Sequence, residues 1–114
     1  MQLDVMMGPV TWAESAEIAR QVESAGLSGM MFTETGQTPW MSMAAAAAAA
    51  PSLAFLTGIA VAFPVSPMVA ASLAWELAGN TGGRFRLGLG SQVKAHVERR
   101  YGAEFDPPGP RLRD

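Results

Sequence analysis

The sequence contains no cysteine and only one histidine, His96. Without cysteine there is no disulfide scaffold, no thiolate zinc site and no cysteine nucleophile, and one histidine leaves too few soft ligands for a structural metal. We therefore expect no metal site. The lack of cysteine also fits a reducing or redox-neutral compartment. No charged segment followed by an apolar segment opens the chain, so we expect no signal peptide and a cytoplasmic location.

Charged residues are scarce as well, at 16% of the 114 residues, against about 25% in soluble domains. None occurs between Thr35 and Trp75, so this stretch is buried either in lipid or in protein. A membrane hairpin is one alternative, but Pro51, Gly58 and Pro64 divide the stretch into pieces shorter than the roughly 20 apolar residues of a spanning helix. We therefore expect burial inside an α/β protein and no membrane partner.

The net charge of −2 argues against nucleic acid as a partner. The charge is uneven, because residues 1–80 carry six acids and one base (net −5) whereas residues 81–114 carry seven bases and four acids (net +3). The C-terminal part is thus the part that attracts a small anion or a phosphate. Lys94, Arg99 and Arg100 form either a solvated face or, at Lys94, a phosphate contact.

Four short apolar segments predict β-strands that are buried on both faces. They are residues 2–6, 30–33, 54–61 and 85–89. The strand starts, near residues 2, 29, 54 and 85, are spaced by 27, 25 and 31 residues. This rhythm is typical of a doubly wound sheet or of a (β/α)₈ barrel. At roughly 31 residues per unit of a barrel, the chain would form the first half, about four βα units.

Capping residues predict where the helices between these strands begin. Thr11 with Glu14 forms a capping box for a first helix that ends at Ala25, before Gly26. The other predicted caps are Thr38 before Pro39, Ser66 before Pro67, and Ser91 or Gln92 for a short helix that Gly102 closes. The predicted buried positions are Ile18, Val22 and Ala25 in the first helix, and Val69, Leu73 and Leu77 in the third.

Three features at the predicted strand ends are candidates for a site. Glu34 ends the second strand, where βα folds place their chemistry, and the alternative is a solvated loop acid. Gly88 and Gly90 match the first two glycines of the dinucleotide-binding motif G-x-G-x-x-G, but Val93 stands at the position of the third. These glycines either let backbone amides approach a ligand or allow tight packing. His96 is either an exposed polar residue or a catalytic one.

Two segments resemble a known family. Residues 57–67, TGIAVAFPVSP, and residues 82–102, GGRFRLGLGSQVKAHVERRYG, are similar to the N-terminal part of the bacterial luciferase-like monooxygenase superfamily. Within it they look most like the deazaflavin-dependent (coenzyme F-420) oxidoreductases, and the similarity includes Thr33 and Glu34. The resemblance implies a (β/α)₈ TIM barrel that binds a deazaflavin, or FMN in sister branches. It also implies an oxidoreductase that moves a hydride between this cofactor and an unknown organic substrate.

The resemblance also implies roles for individual residues at the carboxyl ends of the strands. The acid that lies near the cofactor ring matches Glu34, and Glu34 and His96 are the two candidates for a catalytic acid or base. A bulge with a non-prolyl cis peptide, between Gly58 and Ile59, would support the back of the ring. The implied cofactor-binding residues are Glu34, Thr57, Gly58, Ile59, Gly88, Gly90, Ser91 and Gln92.

The chain also departs from the family. Members that oxidise sugar phosphates have a histidine where Thr35 stands, so we do not expect that substrate. Residues 1–114 are expected to be an incomplete N-terminal part of the barrel domain, inactive as a fragment, with the first and fourth strands as open edges. Two alternatives to a deazaflavin enzyme are an FMN-dependent luciferase-like monooxygenase and a noncatalytic half-barrel that pairs through its open edges with another copy.

Overall fold

Short strands are followed by helices along the chain in the computed structural model, which describes residues 1–113. The strands are β1 Asp4–Met7, β2 Gly29–Phe32, β3 Ala54–Thr57, β4 Ala60–Val61, β5 Phe85–Arg86 and β6 Leu89–Gly90. The helices are α1 Trp12–Ser24, α2 Trp40–Ala49, α3 Pro67–Asn80, α4 Lys94–Tyr101 and α5 Pro108–Arg113. The βα rhythm that the sequence predicts is therefore present.

The main sheet has the order β1-β2-β3-β5, and all its pairings are parallel. Strands β4 and β6 form a second, two-stranded parallel sheet. The predicted third strand, 54–61, is thus divided into β3 and β4, and the predicted fourth strand, 85–89, is divided into β5 and β6. The break in the third strand agrees with the bulge that the resemblance implied at Gly58 and Ile59, whereas the break in the fourth strand was not predicted.

Helices cover one face of the main sheet. The covered face carries Met30, Phe32, Phe55 and Phe85, which are buried in one apolar cluster with residues of α1, α2 and α3. The opposite face is formed by residues in register with one another: Met6, Met31, Leu56 and Arg86. Met6 is 66% exposed and Arg86 is also exposed, whereas Met31 and Leu56 are half-buried. In a closed (β/α)₈ barrel this second face lies inside the barrel.

Two of the predicted helix starts are confirmed. The amide of Glu14 donates to the Thr11 hydroxyl oxygen at 3.2 Å, and the Thr11 amide donates to the Glu14 carboxylate at 2.9 Å, which completes the capping box. The bond from the Thr11 amide lowers the pKa of Glu14. The Ser66 hydroxyl oxygen accepts from the Val69 amide at 3.3 Å, with Pro67 in the first turn.

The other two predicted caps are wrong. Helix α2 follows Pro39, which already has helical dihedral angles and forms no side-chain cap, so Thr38 does not begin the helix. Helix α4 follows Val93 rather than Ser91 or Gln92. Gln92 has a φ of 58° and so cannot take the extended backbone of a helix-capping residue. The predicted end of α4 at Gly102 is confirmed by its left-handed φ of 62°.

The buried helix faces are turned slightly from the predicted ones. In α1 the buried residues are Ser15, Ala19 and Val22, whereas Ala25 lies exposed beyond the helix end. The small Ser15 side chain lets α1 approach α2, since its hydroxyl donates to the carbonyl of Ser42 at 2.6 Å. The side of α1 that faces α2 therefore carries small residues, because the two helices lie close together. A search for large apolar residues at helical spacing does not find this side.

Helix α3 is less enclosed than the uncharged stretch implied. Its buried residues are Ala70 and Leu77, while Val69 is 48% exposed and Trp75 is 83% exposed. The uncharged stretch is therefore buried in β3 and on the inner side of α2, but it is exposed on the outer sides of α2 and α3, where Met41 is 57% exposed. Among the described residues, no helix has the length and apolar content that crossing a membrane requires.

Candidate active site

The candidate site lies at the carboxyl edge of the main sheet. Met7, Phe32 and Thr57 are in register with one another at the ends of β1, β2 and β3. Because the strands are parallel, the segments that follow them emerge at one edge. Glu34 follows β2 at this edge, and Gly88 lies between β5 and β6 beside the end of β3.

Glu34 is buried rather than solvated, with 5% of its surface exposed. One carboxylate oxygen, Oε2, accepts from the Val61 amide at 2.7 Å, and the other, Oε1, accepts from the Tyr101 hydroxyl at 2.7 Å. The carboxylate therefore joins the end of β2 to β4 and to the last residue of α4. This geometry excludes the alternative of a solvated loop acid.

Tyr101 is held in its protonated form. Burial raises the pKa of Tyr101 to about 12, and the hydrogen bond to Glu34 and the negative charge of Glu34 act in the same direction. Arg100, whose guanidinium carbon lies 5.4 Å from the Tyr101 ring centroid, acts in the opposite direction. Near neutral pH the phenol is consequently a hydrogen-bond donor to Glu34.

Tyr101 is a site residue that the sequence analysis did not identify. It lies 67 positions from Glu34, and no local motif connects the two. The one available signal is that Tyr101 is the only tyrosine in the sequence. The presence of a single tyrosine does not reveal which residue it bonds to. That partner follows only from the packing of α4 at the carboxyl edge of the sheet.

Thr57 and Gly88 form a clamp across the break between the two sheets. The Thr57 hydroxyl donates to the Gly88 carbonyl at 2.8 Å and accepts from the Gly88 amide at 2.8 Å. A Cβ atom on Gly88 would lie 2.1 Å from the Thr57 carbonyl oxygen, so only glycine fits. Of the two alternatives for Gly88, tight packing is the one that the structure supports, because its amide is already bonded within the protein.

The peptide bond between Gly58 and Ile59 is cis, as the resemblance implied. Met31 packs directly on Gly58, where a Cβ atom would lie 2.2 Å from the Met31 sulfur. Ile59 packs on Gly90 in the same way, with its Cδ1 atom 2.8 Å from a Cβ built there. Gly58, Ile59 and Gly90 are all half-buried, so this part of the edge stays accessible.

Three predicted site residues lie beyond the strand ends: Ser91 and Gln92 are in the loop after β6, and His96 is on helix α4. Ser91 and Gln92 are half-buried, and the Gln92 side-chain oxygen accepts from the Val93 amide at 3.0 Å. His96 is exposed on α4. At roughly 100° per residue it lies about 140° around the helix axis from Tyr101. In the described part of the chain, the hydrogen bonds to Glu34 come from Val61 and Tyr101 and not from His96.

The structure therefore brings most of the predicted site residues to one edge. Those that share it are Glu34, Thr57, Gly58, Ile59, Gly88 and Gly90.

Lys94 pairs with Glu98 at 3.7 Å on an exposed face, which favours a solvated role over a phosphate contact. Residues 1–113 contain no group of three His, Cys, Asp or Glu side chains able to hold a metal ion.

Comparison with known proteins identifies the family. The family model described as luciferase-like monooxygenase matches residues 2–114. The chain belongs to the luciferase-like monooxygenase family. It is 34% identical over 106 residues to uncharacterized proteins of Mycobacterium tuberculosis and Mycobacterium bovis, a match that covers 93% of this chain and 31% of each relative. The chain thus spans about a third of the length of these relatives.

Solved structures show the same fold. One is a coenzyme F-420-dependent tetrahydromethanopterin reductase from Methanopyrus kandleri, with a TM-score of 0.79 and 20% identity over 91% of this chain and 30% of that one. A second is the oxygenating constituent of 3,6-diketocamphane monooxygenase from Pseudomonas putida in complex with FMN, with a TM-score of 0.74 and 21% identity over 90% of this chain and 32% of that one.

A third is a monooxygenase from Streptomyces bottropensis, with a TM-score of 0.77 and 20% identity over 99% of this chain and 40% of that one. Sequence identities this low show a shared fold and do not show a shared function. The similarity covers less than half of each solved chain, as a partial barrel requires. The prediction of about four βα units from a (β/α)₈ barrel is confirmed.

Proposed function

We propose that this chain supplies part of the cofactor site of a luciferase-like oxidoreductase, with Glu34 at its centre. The observation that carries the proposal is a buried carboxylate at the carboxyl edge of a parallel sheet, with each oxygen held by its own donor. Its place after β2, at the carboxyl ends of parallel strands, is where βα folds put their chemistry. Fixed polar groups of this kind are what a cofactor enzyme uses to orient a ring.

The residues around Glu34 suit a flat heterocyclic ring. Met31, Gly58 and Ile59 present half-buried apolar surface at the same edge, and Gly90 lies against Ile59. Apolar surface beside a few fixed polar groups is the usual lining of a cofactor site. When bound, the cofactor would supply the ring that gives or accepts a hydride. The protein groups would position the ring, and Glu34, rather than the exposed His96, would act as the acid or base toward the substrate.

Deazaflavin F-420 is our first choice of cofactor and FMN the second. The segments 57–67 and 82–102 resemble the deazaflavin branch. The solved structures of similar fold include one protein named for each cofactor, an F-420-dependent reductase and an FMN complex. The substrate is a small organic molecule that exchanges a hydride with the cofactor. Thr35, in place of a histidine, argues against sugar phosphates.

Titration with each cofactor tests this proposal. We expect the chain to quench or shift the fluorescence of F-420, and to bind FMN less tightly. Glu34→Gln should weaken binding about tenfold, because a hydrogen bond to a charged group is worth about 1.5 kcal/mol or more. Glu76→Gln is the matched control, since Glu76 is an exposed acid on α3. If the wild-type chain changes the signal of neither cofactor, the proposal is wrong.

An assembly role is the second candidate, and the uncovered face of the main sheet favours it. This face carries Met6, Met31 and Leu56, and within residues 1–113 strands β1 and β5 at its two ends have no further neighbour in the sheet. Exposed strand edges and apolar sheet faces pair readily with another chain. We expect sedimentation equilibrium to give a dimer of this chain, and Met6→Lys to shift it toward monomer. A concentration-independent monomer would contradict the assembly role.

A further inference from the structure

We propose that Tyr101 is the positioning residue of this site, and that its hydroxyl aims the Glu34 carboxylate toward the cofactor. The inference rests on the proposed function and adds to it a residue to which the resemblance assigned no role. Tyr101 touches no cofactor in this proposal. It acts through Glu34, with the Val61 amide as its counterpart on the other carboxylate oxygen.

Two donors on separate oxygens fix the plane of a carboxylate. One bond, from the Val61 amide, comes from the rigid backbone of β4, and the other comes from a side chain on α4. A single bond would leave the carboxylate free to rotate about its last torsion, which is broad for a terminal carboxylate. The Tyr101 hydroxyl therefore removes the remaining freedom of Glu34.

The position of Tyr101 is itself fixed by packing. Val61, Phe63 and Val97 form a small buried cluster, against which Tyr101 and Phe105 pack. Helix α4 ends at Tyr101, and Gly102 then turns the chain in the left-handed conformation. The other end of α4 follows the loop of residues 91–93, which comes directly after β6. The bond from Tyr101 thus connects this loop, through α4, to the acid.

The contact between Tyr101 and Glu34 can be measured without any cofactor. Because the sequence has one tyrosine, the absorbance of phenolate against pH reports Tyr101 alone. Burial raises the pKa of Tyr101 to about 12, the neighbouring Glu34 acts in the same direction, and Arg100 lowers this pKa. Glu34→Gln should lower the midpoint by about one pH unit, because the neighbouring negative charge is lost. Glu76→Gln should leave it unchanged.

A midpoint for Glu34→Gln equal to that of the wild type would overturn the inference. If alkaline unfolding precedes the midpoint, the Raman doublet of tyrosine at neutral pH reads the same contact. We expect the wild type and Glu76→Gln to show a strong hydrogen-bond donor, and Glu34→Ala to lose that signature. An identical doublet in all three proteins would also overturn the inference.

Binding of F-420 then tests the positioning role. Tyr101→Phe should bind the cofactor about tenfold more weakly, because Glu34 loses one of its two donors. Phe105→Leu is the control, since it loosens the same cluster, where the Phe105 and Phe63 ring centroids are 5.5 Å apart, but removes no hydrogen bond. It should lower stability and keep the wild-type Kd.

The outcomes separate this inference from the proposed function. Equal Kd values for the wild type and Tyr101→Phe would overturn the positioning role and leave the cofactor proposal standing. A wild-type chain that binds neither F-420 nor FMN would overturn the proposed function, and the positioning role would fail with it. The titration and the Raman doublet would in that case still decide whether the contact exists in solution.

Discussion

Gly88→Ala is expected to destabilise the chain by about 3 kcal/mol, the upper end of the usual cost of overpacking. The new Cβ would lie 2.1 Å from the carbonyl oxygen of Thr57, a backbone atom that cannot move aside as a flexible side chain could. Relief of the contact requires the strand ends to separate. Both hydrogen bonds between the Thr57 hydroxyl and Gly88 would then weaken. Equilibrium unfolding in urea measures the change.

Gly79→Ala is the matched control for this substitution. A Cβ atom on Gly79 would meet nothing within 4 Å, and Gly79 lies in α3, where alanine is the better helix former. We expect its free energy of unfolding to stay the same or to rise by up to about 1 kcal/mol. Equal losses of stability for the two variants would contradict the assignment of Gly88 to the clamp.

Glu34→Ala is expected to cost about 3 kcal/mol of stability, because it leaves two donors without an acceptor. The Val61 amide is buried, and the Tyr101 hydroxyl loses the partner at 2.7 Å. The free energy of unfolding, again from urea titration, measures the loss. The result matters for function as well, since the same change removes the charged group from the proposed cofactor site.

Glu34→Gln separates the loss of hydrogen bonds from the loss of charge. The glutamine oxygen can accept from the Val61 amide, and its NH₂ group can donate to the Tyr101 oxygen, which accepts as well as donates. We therefore expect Glu34→Gln to lose less than half as much stability as Glu34→Ala. If the two variants are equally unstable, the buried charge rather than the pair of donors stabilises this part of the fold.

Much of the fold could be predicted because its signals are local. The strands are short apolar segments at regular spacing, and Thr11 and Ser66 mark helix starts through bonds to amides three residues on. Caps at Thr38 and Ser91 could not be distinguished from these by residue type. Pro39 already adopts helical dihedral angles, and the positive φ of Gln92 is set by the loop, so neither helix uses the cap that its sequence offers.

The site was predictable only in part, for the same physical reason. Glu34 could be placed at the sheet edge, because a residue that follows a parallel strand emerges there. The break after Thr57 was expected only from the resemblance, and the break at Gly88 was not predicted, since there a side chain bonds to a backbone 31 residues away. The contact of Tyr101 with Glu34 spans 67 residues. Contacts of this range depend on how elements pack, which periodicity and caps do not encode.

The three tryptophans occupy very different surroundings, which has a spectroscopic consequence. Trp12 and Trp75 are 64% and 83% exposed, so their emission is already that of indole in water. Trp40, at the start of α2, is 9% exposed and belongs to the apolar cluster that joins the helices to the main sheet. The red shift of fluorescence on unfolding therefore comes from Trp40, and it follows the packing of α2 on the sheet.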